Sequence, residues 1–210
     1  MQDVKDLEKR IRGYWHQDGL GELAGGLIFL LLGVYFAVVE FLGESSQWGG
    51  LLQAGLVLVL LGLMVLGRRL IAALKARFVY PRTGYVEYRR EAGTRQRALL
   101  AGFAGAVFAA AAVAVSAALD STDWVVALTG LLGGFILVFL SAKVSRAGRF
   151  ILMAMLSVAL GLALSFTGLS TGYALGAYYA LMALVFAVSG TLVFLRYMKE
   201  NPKPEGTSHE

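Results

Sequence analysis

Six long apolar segments alternate with polar stretches along the chain. Each is roughly 17–23 residues long, the length that an α-helix needs to cross ~30 Å of hydrocarbon. A buried helix of a soluble protein rarely continues so far without a charged residue. The pattern predicts an all-α, polytopic membrane protein with six transmembrane helices arranged as three hairpins. The predicted spans are about 23–42, 49–67, 98–119, 124–142, 150–166 and 173–195.

The positions of the basic residues predict the orientation of these spans. All 19 Lys and Arg lie before the first span, after the second, after the fourth or after the sixth. The other three connections contain no basic residue. By the positive-inside rule, the basic side faces the cytoplasm. We therefore expect a protein of the bacterial inner (cytoplasmic) membrane with both termini in the cytoplasm, as an even number of spans requires.

Three regions follow from this topology. Residues 1–19 form an amphipathic cytoplasmic segment, residues 20–198 form the bundle, and residues 199–210 form a cytoplasmic tail. A basic cytoplasmic loop, 68–97, joins the second and third spans.

Composition narrows the chemistry. The chain has no Cys and only two His, which excludes disulfides, thiol nucleophiles and metal sites built from Cys or His. It contains no HExxH, GxSxG or Walker A pattern. We expect no enzyme activity, no catalytic residue, no metal and no cofactor. A lipid-modifying enzyme, the least supported class, would need acids and a tyrosine to converge at the inner face, such as Asp18, Glu22 and Tyr85.

The basic loop carries the most distinctive stretch, RFVYPRTGYVEYRR over residues 77–90. The preceding residues continue the second helix, and Pro81 ends it because proline lacks an N–H and restricts the residue before it. The net charge of +5 in a membrane protein favours anionic phospholipid over nucleic acid as the partner. A partner protein remains open, and so does a loop whose charges only set the orientation. The candidate lipid- or anion-binding residues are Arg68, Arg69, Lys75, Arg77, Arg82, Tyr85, Arg89 and Arg90.

A second polar group lies at the same predicted face. Asp18 and Glu22 are four residues apart at the entrance of the first span. We expect one of these acids to pair with Arg82 or an adjacent arginine and to fix the loop beneath the bundle. The predicted inner-face cluster is Tyr14, Trp15, Asp18, Glu22 and Arg82.

Small residues predict where helices pack. In the third predicted span, Ala or Gly recurs every four residues in two parallel rows, which lets helix backbones approach closely. This helix is expected at the centre of the bundle or at a dimer interface, and its candidate contact residues are Gly102, Gly105, Ala106 and Ala110. Further contact points are expected on the first and fourth spans, at Gly25, Gly26, Gly33, Gly130, Gly133 and Gly134.

A small oligomeric transporter or channel is the alternative function. It would use Glu40 and Gln53 near the outer side and Asp18 or Glu22 near the inner side. Polar residues within the predicted spans are few, whereas transport sites usually contain them. A non-enzymatic protein that binds anionic lipid or a partner protein is therefore the leading interpretation.

Two stretches, YWHQDGLGELAGGLIFLLLG and YPRTGYVEYRR, together resemble a group of uncharacterised small bacterial multi-pass integral membrane proteins. That group has Tyr-Trp-x-x-Asp-Gly before the first span and Tyr-Pro-Arg-Thr-Gly-Tyr after the second. The resemblance covers about thirty residues of this chain. It implies a shared topology and an inner-face site, but no particular activity. The site it implies is Tyr14, Trp15, Asp18, Pro81, Arg82, Gly84 and Tyr85.

Overall fold

The computed structural model describes residues 18–43, 46–80, 123–143 and 148–202. These ranges are helical and contain no strand. The second helix continues into a π-helical turn, Lys75–Val79. The α-helices are α1 (Leu20–Leu42), α2 (Gln47–Leu74), α3 (Asp123–Lys143), α4 (Gly148–Ser165) and α5 (Thr171–Glu200).

All five helices are long and apolar enough to cross a membrane. The prediction of an all-α polytopic protein is therefore confirmed for the described part of the chain. The five helices cover five of the six predicted spans. The third predicted span, 98–119, lies outside the described residues, and so do its packing residues Gly102, Gly105, Ala106 and Ala110.

One end of the bundle carries its buried charges. Here the start of α1 meets the π-helical turn, the start of α4 and the last turns of α5. We call this the charged end and define it by Asp18, Lys75, Arg149 and Tyr197. The other end exposes large aromatic side chains, as expected where helices leave the hydrocarbon. They are Phe41, Trp48, Trp124, Phe166 and Tyr173.

The first and last helices pack antiparallel with their backbones in contact. Gly19, Gly26 and Gly33 are seven residues apart, so they lie along one side of the chain. A Cβ on Gly33 would lie 3.0 Å from the Gly176 carbonyl oxygen, and one on Gly26 would lie 3.1 Å from that of Ala183. A side chain at either position would require the facing backbone to shift by a few tenths of an ångström. The predicted contact points on the first span are confirmed, and we call this interface the glycine seam.

α3 and α4 form a second close pair. A Cβ on Gly130 would lie 2.7 Å from the Gly161 Cα, and one on Gly134 would lie 3.1 Å from the Ala154 carbonyl oxygen. The contact points predicted for the fourth span, which corresponds to α3, are therefore confirmed as well. This contact fixes α4 beside α3 and places Ser157 of α4 in the middle of the bundle, where it is completely buried.

A hydrogen-bonded pair of hydroxyl groups joins these helices to α5. Ser157 Oγ donates to the Gly130 carbonyl oxygen at 2.9 Å and lies 2.8 Å from the Tyr178 hydroxyl group. Because the serine proton is used in the first bond, the tyrosine donates in the second. Gly133 leaves the space for this pair, since a Cβ there would lie 2.6 Å from the Tyr178 oxygen. Buried apolar residues surround it, among them Met153, Met182 and Phe186.

Two helices begin after a serine that does not cap them through its side chain. Ser46 precedes α2 and Ser170 precedes α5, both with non-helical backbone angles. Neither side chain makes a capping hydrogen bond. The connections between the helices thus gain little from the side-chain caps expected at such positions.

The glycine seam predicts opposite effects for two Gly→Ala substitutions. Gly33→Ala should destabilise the bundle, because displacing backbone atoms costs about 1–3 kcal/mol and exceeds a helix-propensity gain of at most ~1 kcal/mol. Gly62→Ala on α2 should be neutral or stabilising, since a Cβ there meets no atom of the described residues within 4 Å. Unfolding of the purified protein in mixed micelles, followed by tryptophan fluorescence, measures both. Equal stability of the two variants would contradict the close packing of α1 and α5.

Candidate functional site

The start of α1 is built around a buried carboxylate. Asp18 is 2% exposed, and its Oδ1 accepts a hydrogen bond of 3.1 Å from the Leu20 backbone N–H. The chain can fold back in this way because Gly19 has a φ of 71°, a left-handed conformation that favours glycine. Gly19 also lies directly against the backbone of α5, where a Cβ would come 2.5 Å from the Gly190 carbonyl oxygen.

The π-helical turn supplies the cation for Asp18. Lys75 Nζ lies 3.0 Å from Asp18 Oδ2, and Lys75 is only 4% exposed. Lys75 and Val79 both face the interior, next to Leu20 and Tyr197. Single π-turns interrupt α-helices frequently at functional positions. Here the turn accompanies a lysine that points into the protein instead of into solvent.

Glu22 connects α1 to two further helices. Its Oε1 lies 2.8 Å from Arg149 Nη2, at the start of α4, and its Oε2 accepts a hydrogen bond of 2.5 Å from Ser189 of α5. The Glu22 side chain is buried, whereas the Arg149 side chain is 29% exposed and lies over the Phe150 ring at 5.2 Å. The carboxylate is thus neutralised by a cation that reaches in from the surface of the bundle.

These contacts make a polar cluster of Asp18, Lys75, Glu22, Arg149 and Ser189, which we call the ion-pair cluster. It joins α1 to the π-helical turn, to α4 and to α5, and its two acids and two bases cancel in charge. Removing one partner of a buried ion pair usually destabilises a protein, because the other charge is left uncompensated. The cluster therefore holds four segments of the chain together at one end.

The cluster offers little for catalysis. Each carboxylate is engaged by a cation, so neither is placed as a free general base. Within the described ranges, no group of three or more His, Cys, Asp or Glu residues could hold a metal ion. The arrangement consists of ion pairs that hold helices together.

The predicted site residues fall into three groups. Arg68, Arg69 and Arg77 are exposed on α2 and the π-helical turn. Lys75 faces inward and pairs with Asp18, so its charge is not presented to a lipid surface. Eight others lie outside the described residues: Tyr14, Trp15, Pro81, Arg82, Gly84, Tyr85, Arg89 and Arg90.

The acids of the predicted inner-face cluster are both buried at the charged end. Asp18 pairs with Lys75 and Glu22 pairs with Arg149, and the expected partner, Arg82, lies outside the described residues. Lys75 could have been identified from the sequence, because it shares a helical face with the apolar Ile71 and Val79. Arg149 could have been identified as well, because it immediately precedes the apolar part of α4.

Glu40, the acid proposed for transport at the outer side, packs against the start of α5. Its carboxylate lies against Gly172 in the first turn of α5, where a side chain on that glycine would collide with it. Backbone N–H groups at a helix N-terminus favour a negative charge. Gln53 belongs to α2, and its side chain lies outside the described parts of the structure.

Comparison with protein-family models, with curated proteins and with solved structures gives no match for this chain. Function must therefore be argued from the residues themselves.

The ion-pair cluster predicts a strong asymmetry between single and double substitutions. Lys75→Met should destabilise the protein by about 3–5 kcal/mol, because Asp18 would be buried without its cation. Asp18→Asn combined with Lys75→Met should recover much of that loss. Unfolding in mixed micelles measures both variants.

Arg77→Met is the matched control, because Arg77 is a nearby cation that is exposed. We expect it to change the free energy of unfolding by less than about 1 kcal/mol. If Lys75→Met were as stable as this control, the buried pair would have no role in holding the bundle.

Proposed function

We propose that this protein is a non-enzymatic, multi-pass protein of the bacterial inner membrane whose charged end faces the cytoplasm and binds anionic phospholipid. The observation that carries the proposal is the separation of the basic residues at and next to this end into two groups. Lys75 is neutralised by Asp18, just before α1, and Arg149 by Glu22 of α1. Arg68, Arg69 and Arg77 are exposed, and none of them pairs with a carboxylate in the described part of the chain.

Exposed arginines beside a membrane attract acidic headgroups. Each basic residue near an anionic surface contributes roughly 1 kcal/mol of attraction. Arg77 is followed in the sequence by Arg82, Arg89 and Arg90, which we propose extend the same basic surface. Guanidinium groups suit this role because they bind phosphate through two parallel hydrogen bonds.

A binding role fits the interior of the bundle better than transport does. The hydroxyl groups of Ser157 and Tyr178 satisfy each other at mid-bundle. Asp18 and Glu22 are engaged by cations. Polar groups along a transport pathway are usually exposed to a cavity or to substrate, and the groups named here are occupied by one another.

We infer a sixth span from the ends of the described helices. Tyr80 packs with Leu20 and Tyr197 at the charged end. The start of α3 lies at the opposite end, because a Cβ on Gly161, in the second half of α4, would lie 3.0 Å from the Val126 carbonyl oxygen. A chain that joins opposite sides of a membrane crosses it an odd number of times. One crossing over 98–119 gives six in total and places both termini on the same side.

The lipid-binding proposal predicts a charge-dependent preference. Replacing Arg82, Arg89 and Arg90 together by alanine should reduce the enrichment of phosphatidylglycerol over phosphatidylcholine around the reconstituted protein. The enrichment that remains should also depend less on salt, because fewer charges contribute. Electron paramagnetic resonance of spin-labelled lipids measures this enrichment. An enrichment that is unchanged by the substitution would count against the basic surface.

The proposed topology is testable directly because the natural chain contains no cysteine. Single cysteines at Ser46, Ser121 and Ser170 should react with a membrane-impermeant maleimide added outside right-side-out vesicles. Single cysteines at Arg82 and Lys199 should react only after permeabilisation. Labelling of the cysteines at positions 121 and 82 from the same side would rule out a crossing between them.

A further inference from the structure

Two arginines of α2 lie deeper in the bundle than its charged end. Gly67 packs on Ile28 of α1, whereas Lys75 pairs with Asp18, before α1 begins. Arg68 and Arg69 directly follow Gly67, and Arg69 precedes Lys75 by six residues. A helix rises 1.5 Å per residue, so Arg69 is displaced by about 9 Å from Lys75 toward the middle of the bundle.

The described surface of α4 and α5 at this depth is apolar. On α5, Ala183 contacts Gly26 across the glycine seam, and the adjacent Leu184 is 62% exposed. On α4, Leu152 and Met155 follow Arg149 by three and six residues and are 55% and 59% exposed. Arg68 and Arg69 therefore stand in a belt where the other helices present leucine and methionine.

The side chains of Arg68 and Arg69 leave the helix in a direction that takes them deeper into the bundle. Arg69 comes two residues after the buried Gly67, which is about 200° around the helix, so it faces away from α1. The Cα–Cβ bond of a helical residue leans toward the N-terminus of its helix, and α2 begins at the opposite end of the bundle. Both arginines thus start by leaning away from the headgroups at the charged end.

An exposed guanidinium group in hydrocarbon is costly, and bilayers respond by local thinning and by admitting water and headgroups. We propose that Arg68 and Arg69 form an intramembrane site that draws the phosphate of an anionic phospholipid of the adjacent leaflet below the headgroup plane, beside α2. The site rests on the proposed function in so far as that function supplies anionic lipid at this end. It differs from the basic surface in depth, because the ligand phosphate lies within the apolar belt.

The test compares water access at a position beside the arginines with that at a shallower position on α5. A nitroxide on Val65→Cys lies one turn deeper than Arg69 on the same side of α2, and one on Leu184→Cys lies near the level of Arg69 on α5; both native residues are exposed. In vesicles of phosphatidylcholine with phosphatidylglycerol, we expect collisions with a water-soluble nickel complex to be more frequent at position 65 than at 184. The difference should be lost in Arg68→Gln/Arg69→Gln and retained in Arg77→Gln, the matched control.

Each other result overturns the site. Access at position 65 that does not exceed access at position 184 would mean that no headgroup or water enters beside the arginines. A difference that survives Arg68→Gln/Arg69→Gln would have another cause. For the protein without the arginine substitutions, the difference in access should shrink in vesicles of phosphatidylcholine alone. An undiminished difference there would exclude a preference for anionic lipid.

Added inorganic phosphate should not reduce the difference in access, and a reduction would indicate a site for the free ion. Lipid enrichment that depends on Arg82, Arg89 and Arg90 would stand in all these cases, so the two proposals fail separately.

Discussion

Close contact between the backbones of α1 and α5 determines the positions of the other parts of this molecule. Three glycines at intervals of seven residues let the two helices touch along their length, with Gly33 against Gly176 and Gly26 against Ala183. At the charged end the same contact leaves no room for a side chain on Gly190, where a Cβ would lie 2.9 Å from the Leu23 backbone nitrogen. Because the helices are so close there, Ser189 reaches Glu22 directly.

The buried charges depend on that arrangement. Glu22 can be buried because Ser189 and Arg149 meet it from two other helices, and Asp18 can be buried because Lys75 turns inward. A low-dielectric interior strengthens these attractions and also makes an unpaired charge expensive. The cluster therefore favours one arrangement of helices over others that would bury the same apolar surface but separate the charges. The exposed Arg68 and Arg69 of α2 take no part in it.

The sequence predicted the parts of the fold that depend on local pattern. Apolar length identified the segments that became five helices, and the small residues Gly26, Gly33 and Gly130 identified where backbones touch, since both properties can be read from one helix at a time. The partners of Asp18 and Glu22 could not be predicted in the same way. They depend on which helices stand beside α1, and a lysine six residues past Arg69 looks like another cytoplasmic charge until its neighbour is known. Tyr178 was missed for the same reason, because only the packing of α4 on α5 brings it to Ser157.

Pairing the first described helix with the last has a consequence for biosynthesis. A chain emerges from the ribosome N-terminus first, so α1 enters the membrane long before α5 exists. Asp18 can find Lys75 as soon as α2 has been made, but Glu22 has to wait for Arg149 and then for Ser189, 167 residues later. Until α5 is made, the glycine face of α1 lacks its native partner, and the Glu22 carboxylate lacks the hydrogen bond from Ser189. The last described helix to be synthesised therefore completes both the helix contact and the polar contacts of the first.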